Sequence, residues 1–291
     1  MKGIFAASLS LFSKDLSLDI DGTIQHANKL LQEGCHGVAI FGSTGQSQLI
    51  STAEKKKLIQ KLGSNKSKEN FIIGTGNNSL NENTDLMKHS LSNGIKKFLL
   101  MPPAYYKYND EGVYSFYSNI IQRIPECKII LYNFEKLSGY AFNIEIVERL
   151  VKDFPTQIIG VKDSTYNLYE KLKIPNFSVF PGSETKLLKG LELGCHGIIS
   201  AVLNVTAPLS RKVYDDFHNK KKQIHNERLC SIRLTFDKNN LISGIHSFMS
   251  VEDEKYKYIL PPLNLLTKDQ EKKMMLELKA LDFYPEKNIA A

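Results

Sequence analysis

The sequence predicts an α/β fold: a closed (β/α)8 barrel with additional helices at its C-terminal end. Short apolar runs recur through the first two thirds of the 291 residues, and stretches with helical spacing lie between them. Each run ends in small or polar residues. Runs this short and this apolar are typical of strands buried on both faces, as in a parallel sheet with crossover helices.

Eight of these runs are predicted as strands. They occupy residues 3–8, 37–42, 71–76, 97–103, 128–133, 157–163, 177–184 and 197–202. Eight strand and helix units in about 200 residues favour a closed barrel over an open doubly wound sheet, which has fewer units and a glycine-rich dinucleotide loop. The turn Gly-Cys-His-Gly at 34–37 recurs at 194–197, which indicates equivalent junctions before the second and eighth strands.

Residues 206–291 are interpreted as a helical layer packed on the barrel core of residues 1–205, and not as an independent domain. No clear strand is predicted after Val202, and stretches 208–226, 229–247 and 268–281 have helical spacing. No linker rich in Pro, Gly or Ser precedes the tail.

Composition excludes several classes of function. The formal charge is +7, but the lysines are scattered over helical stretches instead of forming a basic patch with aromatic residues, so no nucleic-acid partner is expected. No run approaches the ~20 apolar residues of a membrane span, and the N-terminal residues lack a signal-peptide pattern. The four cysteines are far apart and form no metal-ligand spacing. We therefore expect a cytoplasmic protein without a metal ion.

Lys162 is the most informative residue, because it lies at the polar end of the apolar run 157–163. A buried ammonium is costly and tends to lose its proton, and a neutral lysine amine is the nucleophile of Schiff-base chemistry. Tyr132 ends the neighbouring strand, where its phenol can transfer protons during imine formation. Taken singly, Lys162 could instead pair with Asp163, and Tyr132 could be a core tyrosine.

Four short motifs follow predicted strands in a fixed order. They are Gly-Ser-Thr-Gly at 42–45, Pro-Pro-x-Tyr-Tyr at 102–106, Leu-Tyr-Asn at 131–133 and Gly-Val-Lys-Asp at 160–163. In this order the sequence resembles the family of dihydrodipicolinate synthase and N-acetylneuraminate lyase, the class I pyruvate aldolases, over roughly residues 3–205.

The resemblance implies a role for each matching residue. Lys162 would form the imine with pyruvate, and Tyr132 and Thr44 would relay protons. Ser43 and Thr44 would hold the pyruvate carboxylate. Tyr105, or its neighbour Tyr106, would enter the site of an adjacent subunit. The family is typically a homotetramer, built as a dimer of dimers.

The same resemblance places the remaining substrate-binding positions. Gly182 and Ile199 would line the pyruvate end. Leu137 stands where dihydrodipicolinate synthases carry the arginine that binds the semialdehyde carboxylate, and leucine offers no charged partner. Glu184 stands where the lyase has an aspartate that binds the sugar.

The sequence therefore predicts a class I lyase that makes or breaks a carbon-carbon bond, with pyruvate and an aldehyde or a 2-keto-3-deoxy acid as its partners. No cofactor beyond the covalent imine is expected. Leu137 favours a 2-keto-3-deoxy sugar acid or a sialic acid type of substrate. The alternatives are a dihydrodipicolinate synthase that condenses pyruvate with aspartate semialdehyde, and a barrel that binds a keto acid without catalysis. A phosphate-binding isomerase is disfavoured, because no glycine-rich loop follows the eighth strand.

Overall fold

The computed structural model describes residues 1–285 and contains the predicted barrel. The strands are β1 (Gly3–Ala7), β2 (Gly37–Ile40), β3 (Phe71–Gly74), β4 (Lys97–Leu100), β5 (Lys128–Asn133), β6 (Ile158–Asp163), β7 (Ser178–Pro181) and β8 (Gly197–Ser200). All are parallel, in the order β7-β6-β5-β4-β3-β2-β1-β8. The His196 N–H donates to Val179 O at 3.0 Å between β7 and β8, so the barrel is nearly closed. The predicted fold class is confirmed.

Helices separate the strands and cover the outside of the barrel. They are α1 (Ile20–Gln32), α2 (Thr52–Leu62), α3 (Leu80–Ser92), α4 (Asp110–Arg123), α5 (Glu135–Ser138), α6 (Ile144–Asp153), α7 (Leu187–Glu192), α8 (Leu203–His218), α9 (Asn226–Asp237), α10 (Leu241–Ser250) and α11 (Lys268–Ala280). Side-chain caps explain several starts: Asn143 accepts from the Ile146 N–H at the start of α6, and Ser51 forms a capping box with Glu54 at the start of α2.

The alternation of side chains along each strand builds two layers of core. On β5, Ile130 and Tyr132 point into the barrel, whereas Ile129 and Leu131 pack under the helices. Leu99 of β4 and the other interior residues fill the barrel axis, so the interior is a packed core. The open end above this core leaves space for a ligand.

The tail helices α9 to α11 pack on the barrel through a third cluster of buried side chains. This cluster contains Ile232 and Phe248 from the tail together with Leu9 and Val202 from the barrel. Helix α8 begins at Leu203, earlier than the predicted 208, and so crosses the expected boundary at residue 205. Within residues 1–285, no helix combines the length and apolar character that a membrane crossing requires.

Candidate active site

A cavity of about 1000 Å³ opens at the carboxyl ends of the strands. Its walls come from the loops after β2, β5, β6 and β7, and from the tail around α9 and α10. In barrels of this kind, the loops at this end carry the reacting groups. The tail therefore contributes part of the wall, which the sequence did not predict.

Lys162 and Tyr132 lie side by side in this cavity. They are register partners on β6 and β5, and both point toward the barrel axis. The Lys162 Nζ donates to the Tyr132 hydroxyl at 3.2 Å and lies 4.3 Å from the centre of the ring. Lys162 is 4% exposed, and no carboxylate in residues 1–285 lies within ion-pair distance of its amine. The amine thus reaches the cavity without a counter-ion.

Asp163 does not pair with Lys162, because successive side chains of a strand point to opposite faces. Its carboxylate is fully buried and accepts hydrogen bonds from the Asn133 side chain and from the backbone N–H groups of Tyr166, Leu168 and Tyr169. Asp163 therefore holds the loop after β6 in place, and the simple ion-pair interpretation of Lys162 is wrong.

The loop after β2 brings Ser43 to the phenol of Tyr132. The two hydroxyl oxygens are 2.8 Å apart. Thr44 also lines the cavity, but its hydroxyl makes no hydrogen bond within the described chain, so the hydroxyl beside Tyr132 is that of Ser43 and not of Thr44. The backbone N–H groups of Ser43 and Thr44 likewise donate to no acceptor in residues 1–285. Two free amides and two hydroxyls form a suitable site for a carboxylate.

Gly182 and Leu137 line the cavity as expected. A Cβ on Gly182 would lie 2.2 Å from the Ser164 hydroxyl oxygen and 3.2 Å from the Ser164 Cα, so a larger residue at 182 would force the loop after β6 to shift. Leu137 is partly exposed on α5 and places an apolar side chain at the mouth.

Ile199 and Glu184 do not line the cavity. Ile199 is fully buried in the barrel interior together with Phe180, so its contribution to a pyruvate site is indirect. Glu184 is also fully buried, and its Oε2 accepts from Arg233 at 2.8 Å and from Ser200 at 2.7 Å. These contacts engage Oε2, while Oε1 is enclosed and has no hydrogen-bond partner in residues 1–285. Because the carboxylate is buried behind the wall, Glu184 does not present the sugar-binding carboxylate expected of it.

Arg233 of α9 lines the cavity wall and was missed by sequence reasoning. Its Nε donates to both oxygens of Asp237 at 2.9 and 3.0 Å, and its Nη1 donates to Glu184. Burial alone would lower the pKa of the guanidinium, but the two carboxylates outweigh this effect and raise the pKa. The only signal in the sequence is an arginine four residues before an aspartate on a tail helix, a pattern typical of solvent-exposed pairs.

Tyr105 and Tyr106 lie outside the cavity of their own chain. They are 89% and 74% exposed, and their rings pack edge to face with centroids 5.1 Å apart. Tyr105 also has a left-handed backbone, with φ +86°, which is uncommon for a bulky residue. The single chain brings neither tyrosine near Lys162.

A buried hydrogen-bond chain joins the site loop to the tail. The Gln46 Nε2 lies 3.5 Å from the His246 Nε2, and the His246 Nδ1 lies 2.9 Å from the Tyr256 carbonyl oxygen. The Tyr256 hydroxyl lies 3.0 Å from the His26 Nδ1, and the His26 Nε2 lies 2.7 Å from the Asn204 Oδ1. Burial lowers the pKa of both histidines to about 4, so both rings are neutral at pH 7. These hydrogen bonds are mutually consistent, because each histidine can donate from one ring nitrogen and accept at the other.

No group of three or more His, Cys, Asp or Glu side chains within residues 1–285 is arranged to hold a metal ion. The predicted absence of a metal from the reaction stays a prediction.

Known proteins resemble this chain in sequence over nearly its whole length. The sequence profile of the dihydrodipicolinate synthetase family matches residues 1–281. A relative from Methanopyrus kandleri, named 4-hydroxy-tetrahydrodipicolinate synthase, is 28% identical over 297 residues, and the match covers 98% of each chain.

Solved structures show the same fold. The structure of dihydrodipicolinate synthase from Agrobacterium tumefaciens has a TM-score of 0.88 and 24% identity, and the match covers 97% of this chain and 99% of the other. YagE, a prophage protein of the dihydrodipicolinic acid synthase family from E. coli K12 in complex with pyruvate, has a TM-score of 0.88 and 21% identity, with the same coverage. The family resemblance read from the four motifs is confirmed.

Proposed function

The chain belongs to the dihydrodipicolinate synthetase family, and on that basis we propose that it is a pyruvate-dependent lyase whose Lys162 forms an imine with the keto acid. The observation that carries this proposal is the pair of Lys162 and Tyr132, with an amine 3.2 Å from a phenol and no carboxylate partner in the described chain. An amine in this setting is free to add to a carbonyl carbon.

The first half of the reaction uses groups already in contact. The Lys162 Nζ adds to the keto carbon, and a proton transferred through Tyr132 converts the resulting hydroxyl into water, which leaves. Ser43, 2.8 Å from the phenol, continues this proton path toward the cavity. The free amides of the Ser43 and Thr44 loop hold the pyruvate carboxylate.

The second half makes or breaks the carbon-carbon bond. A base in the site takes a proton from the methyl carbon of the imine and gives an enamine. The enamine carbon then adds to the carbonyl carbon of an aldehyde, whose C=O π bond breaks and whose oxygen takes up a proton to become a hydroxyl. In the reverse direction, a hydroxylated 2-keto acid gives the enamine and releases the aldehyde. Water then hydrolyses the imine and regenerates the Lys162 amine. No further redox or metal step is needed for the electrons to balance.

Aspartate semialdehyde is the first candidate for the aldehyde. Relatives such as the M. kandleri protein, which matches over the full length, are named 4-hydroxy-tetrahydrodipicolinate synthase, and this favours the semialdehyde over the sugar acid that the sequence placed first. A 2-keto-3-deoxy sugar acid remains the second candidate, because Leu137 gives the semialdehyde no charged partner on α5.

We also propose that the site is completed by a second copy of the chain. The exposed aromatic pair of Tyr105 and Tyr106 on the loop after β4 supports this, because two large exposed rings, with Tyr105 on a left-handed backbone, are typical of an interface. Analytical ultracentrifugation checks the expected tetramer, and Tyr105→Ala and Tyr106→Ala show which tyrosine affects kcat.

Borohydride trapping followed by mass spectrometry tests the proposal. Incubation with pyruvate and borohydride should give a reduced adduct on the peptide that contains Lys162, and Lys162→Ala should abolish it. Lys136→Ala is the matched control, since Lys136 also lines the cavity but is exposed, and its adduct should persist. An absent adduct, or one that survives Lys162→Ala, overturns the proposed chemistry.

A further inference from the structure

Arg233 presents one nitrogen to the cavity without a partner. Its Nε and Nη1 are engaged by Asp237, Glu184 and Ser200, whereas its Nη2 donates to no acceptor in residues 1–285. Arg233 lines the cavity, and its Nη2 is not fully enclosed, so we place this nitrogen at the cavity wall. Two N–H groups therefore remain for a ligand.

The guanidinium lies beyond the lysine, toward the mouth. Lys162 pairs in register with Phe180 of β7, and the Arg233 Nη1 lies 3.5 Å from the carbonyl oxygen of Gly182, two residues further along. Two residues of strand correspond to roughly 7 Å. A short aldehyde that reacts at the enamine can span this distance and place its far end at Arg233.

Charge balance limits what this end of the cavity can bind. Arg233 supplies one positive charge, and its two partners Glu184 and Asp237 each supply a carboxylate. These three side chains together therefore have more negative than positive charge. Glu184 is fully enclosed, but Asp237 has a side chain 38% exposed and also lines the cavity. A ligand thus meets a donor beside a carboxylate, and a bare anion would add a further unbalanced negative charge.

We propose that Arg233 and Asp237 bind the far end of the second substrate and select an end that carries an acceptor next to a donor and has no net charge. The inference rests on the imine chemistry proposed for Lys162. The α-amino-acid end of aspartate semialdehyde meets the requirement, with its carboxylate on Arg233 and its ammonium on Asp237. Adjacent hydroxyls of a sugar-derived aldehyde meet it too. Arg233 and Asp237 thus supply the polar contacts to the second substrate that Leu137 cannot make.

Three aldehydes distinguish these possibilities with pyruvate as the common partner. Aspartate semialdehyde is zwitterionic, glyceraldehyde carries hydroxyls, and succinic semialdehyde has the carboxylate without the ammonium. We expect kcat/KM for at least one of the first two to exceed that for succinic semialdehyde by at least about tenfold. A higher kcat/KM for aspartate semialdehyde identifies an amino-acid end, and a higher kcat/KM for glyceraldehyde identifies a hydroxylated end. Equal or better use of succinic semialdehyde overturns the inference.

Asp237→Asn tests the charge argument directly. It removes one carboxylate while Arg233 keeps its buried pair with Glu184, so the fold should persist. We expect the ratio of kcat/KM for the better of the two neutral-ended aldehydes to kcat/KM for succinic semialdehyde to fall by about tenfold or more. KM for pyruvate should not change. Asp215→Asn is the matched control, because Asp215 pairs with Arg211 Nε at 2.8 Å in the same i,i+4 geometry outside the cavity.

Borohydride trapping with pyruvate is measured for each variant alongside the kinetics. If the wild type gives no adduct, the imine chemistry fails. If the adduct forms and Asp237→Asn leaves the preference unchanged, or Asp215→Asn changes it equally, the assignment of Arg233 and Asp237 is wrong while the imine chemistry stands.

Discussion

Replacing Tyr132 with phenylalanine separates proton transfer from packing. The ring is retained, including its position 4.3 Å from the Lys162 amine, and only the hydroxyl is lost. That hydroxyl makes two contacts, with Lys162 at 3.2 Å and with Ser43 at 2.8 Å. Since Lys162 and Ser43 both line the cavity, water can replace the lost partner, and the unfolding free energy should fall by only about 1 kcal/mol.

The effect on the reaction should be much larger. Loss of a positioned acid and base lowers rates by roughly 10²- to 10⁴-fold, so kcat for the pyruvate reaction should fall by that amount. The borohydride adduct should still form, more slowly, because the Lys162 nucleophile is intact. Steady-state kinetics and the rate of trapping measure the two effects, and urea unfolding measures the change in stability.

Tyr140→Phe is the control for Tyr132→Phe. Tyr140 is also buried, and its hydroxyl donates to Asp110 at 2.5 Å, but it does not line the cavity. It should lose a similar amount of stability with kcat within about threefold of wild type. If Tyr132→Phe also keeps kcat within that range, the assignment of Tyr132 as the proton-transfer group is refuted.

Three further predictions concern stability, and urea unfolding measures each. Gly76→Ala should lower the free energy of unfolding by about 1–3 kcal/mol, because φ is +60° and the new Cβ would lie 1.9 Å from the Ser47 hydroxyl oxygen. The control is Gly42→Ala, whose Cβ would meet nothing within 4 Å, and it should lower the free energy of unfolding by less. An equal loss in both contradicts this. The pKa of about 4 for buried His26 and His246 means that the unfolded chain binds more protons between pH 4 and 6.5. Stability should therefore fall as pH drops through this window, by roughly 3 kcal/mol per histidine, and His246→Gln should reduce the slope. Burial lowers the pKa of Lys55 to about 8, because the charged amine is costly in the folded chain. Lys55→Met should therefore raise the unfolding free energy at pH 7 by about 1–3 kcal/mol, and this gain should shrink toward pH 10, where the amine is neutral. A loss of stability at pH 7 would disprove this.

Much of the barrel follows from local pattern. The apolar runs are short because a strand buried on both faces needs only a few residues, and their count predicts closure before any contact is known. The position of Lys162 at the end of such a run predicts its direction too, since the carboxyl ends of the strands share one face. Tyr132 follows by the same argument on the next strand.

Details of the loops could not be read in this way. Which of two adjacent hydroxyls, Ser43 or Thr44, meets the phenol depends on the backbone path after β2, where Phe41 has φ +61°. Adjacent residues in such a loop point in different directions, and a four-residue motif does not specify them.

The sequence alone determined the fold class and the family, and it singled out Lys162 as the candidate nucleophile, because each of these depends on a strand pattern or a motif that is local in the chain. Only the tertiary structure decided the cavity wall that Arg233 and Glu184 build. Arg233 lies 49 residues from Glu184 and 51 from Gly182, and their contact exists because α9 packs over the end of β7. This contact removes Glu184 from the cavity and places a guanidinium there, since a buried carboxylate must be paired and the tail helix supplies the partner.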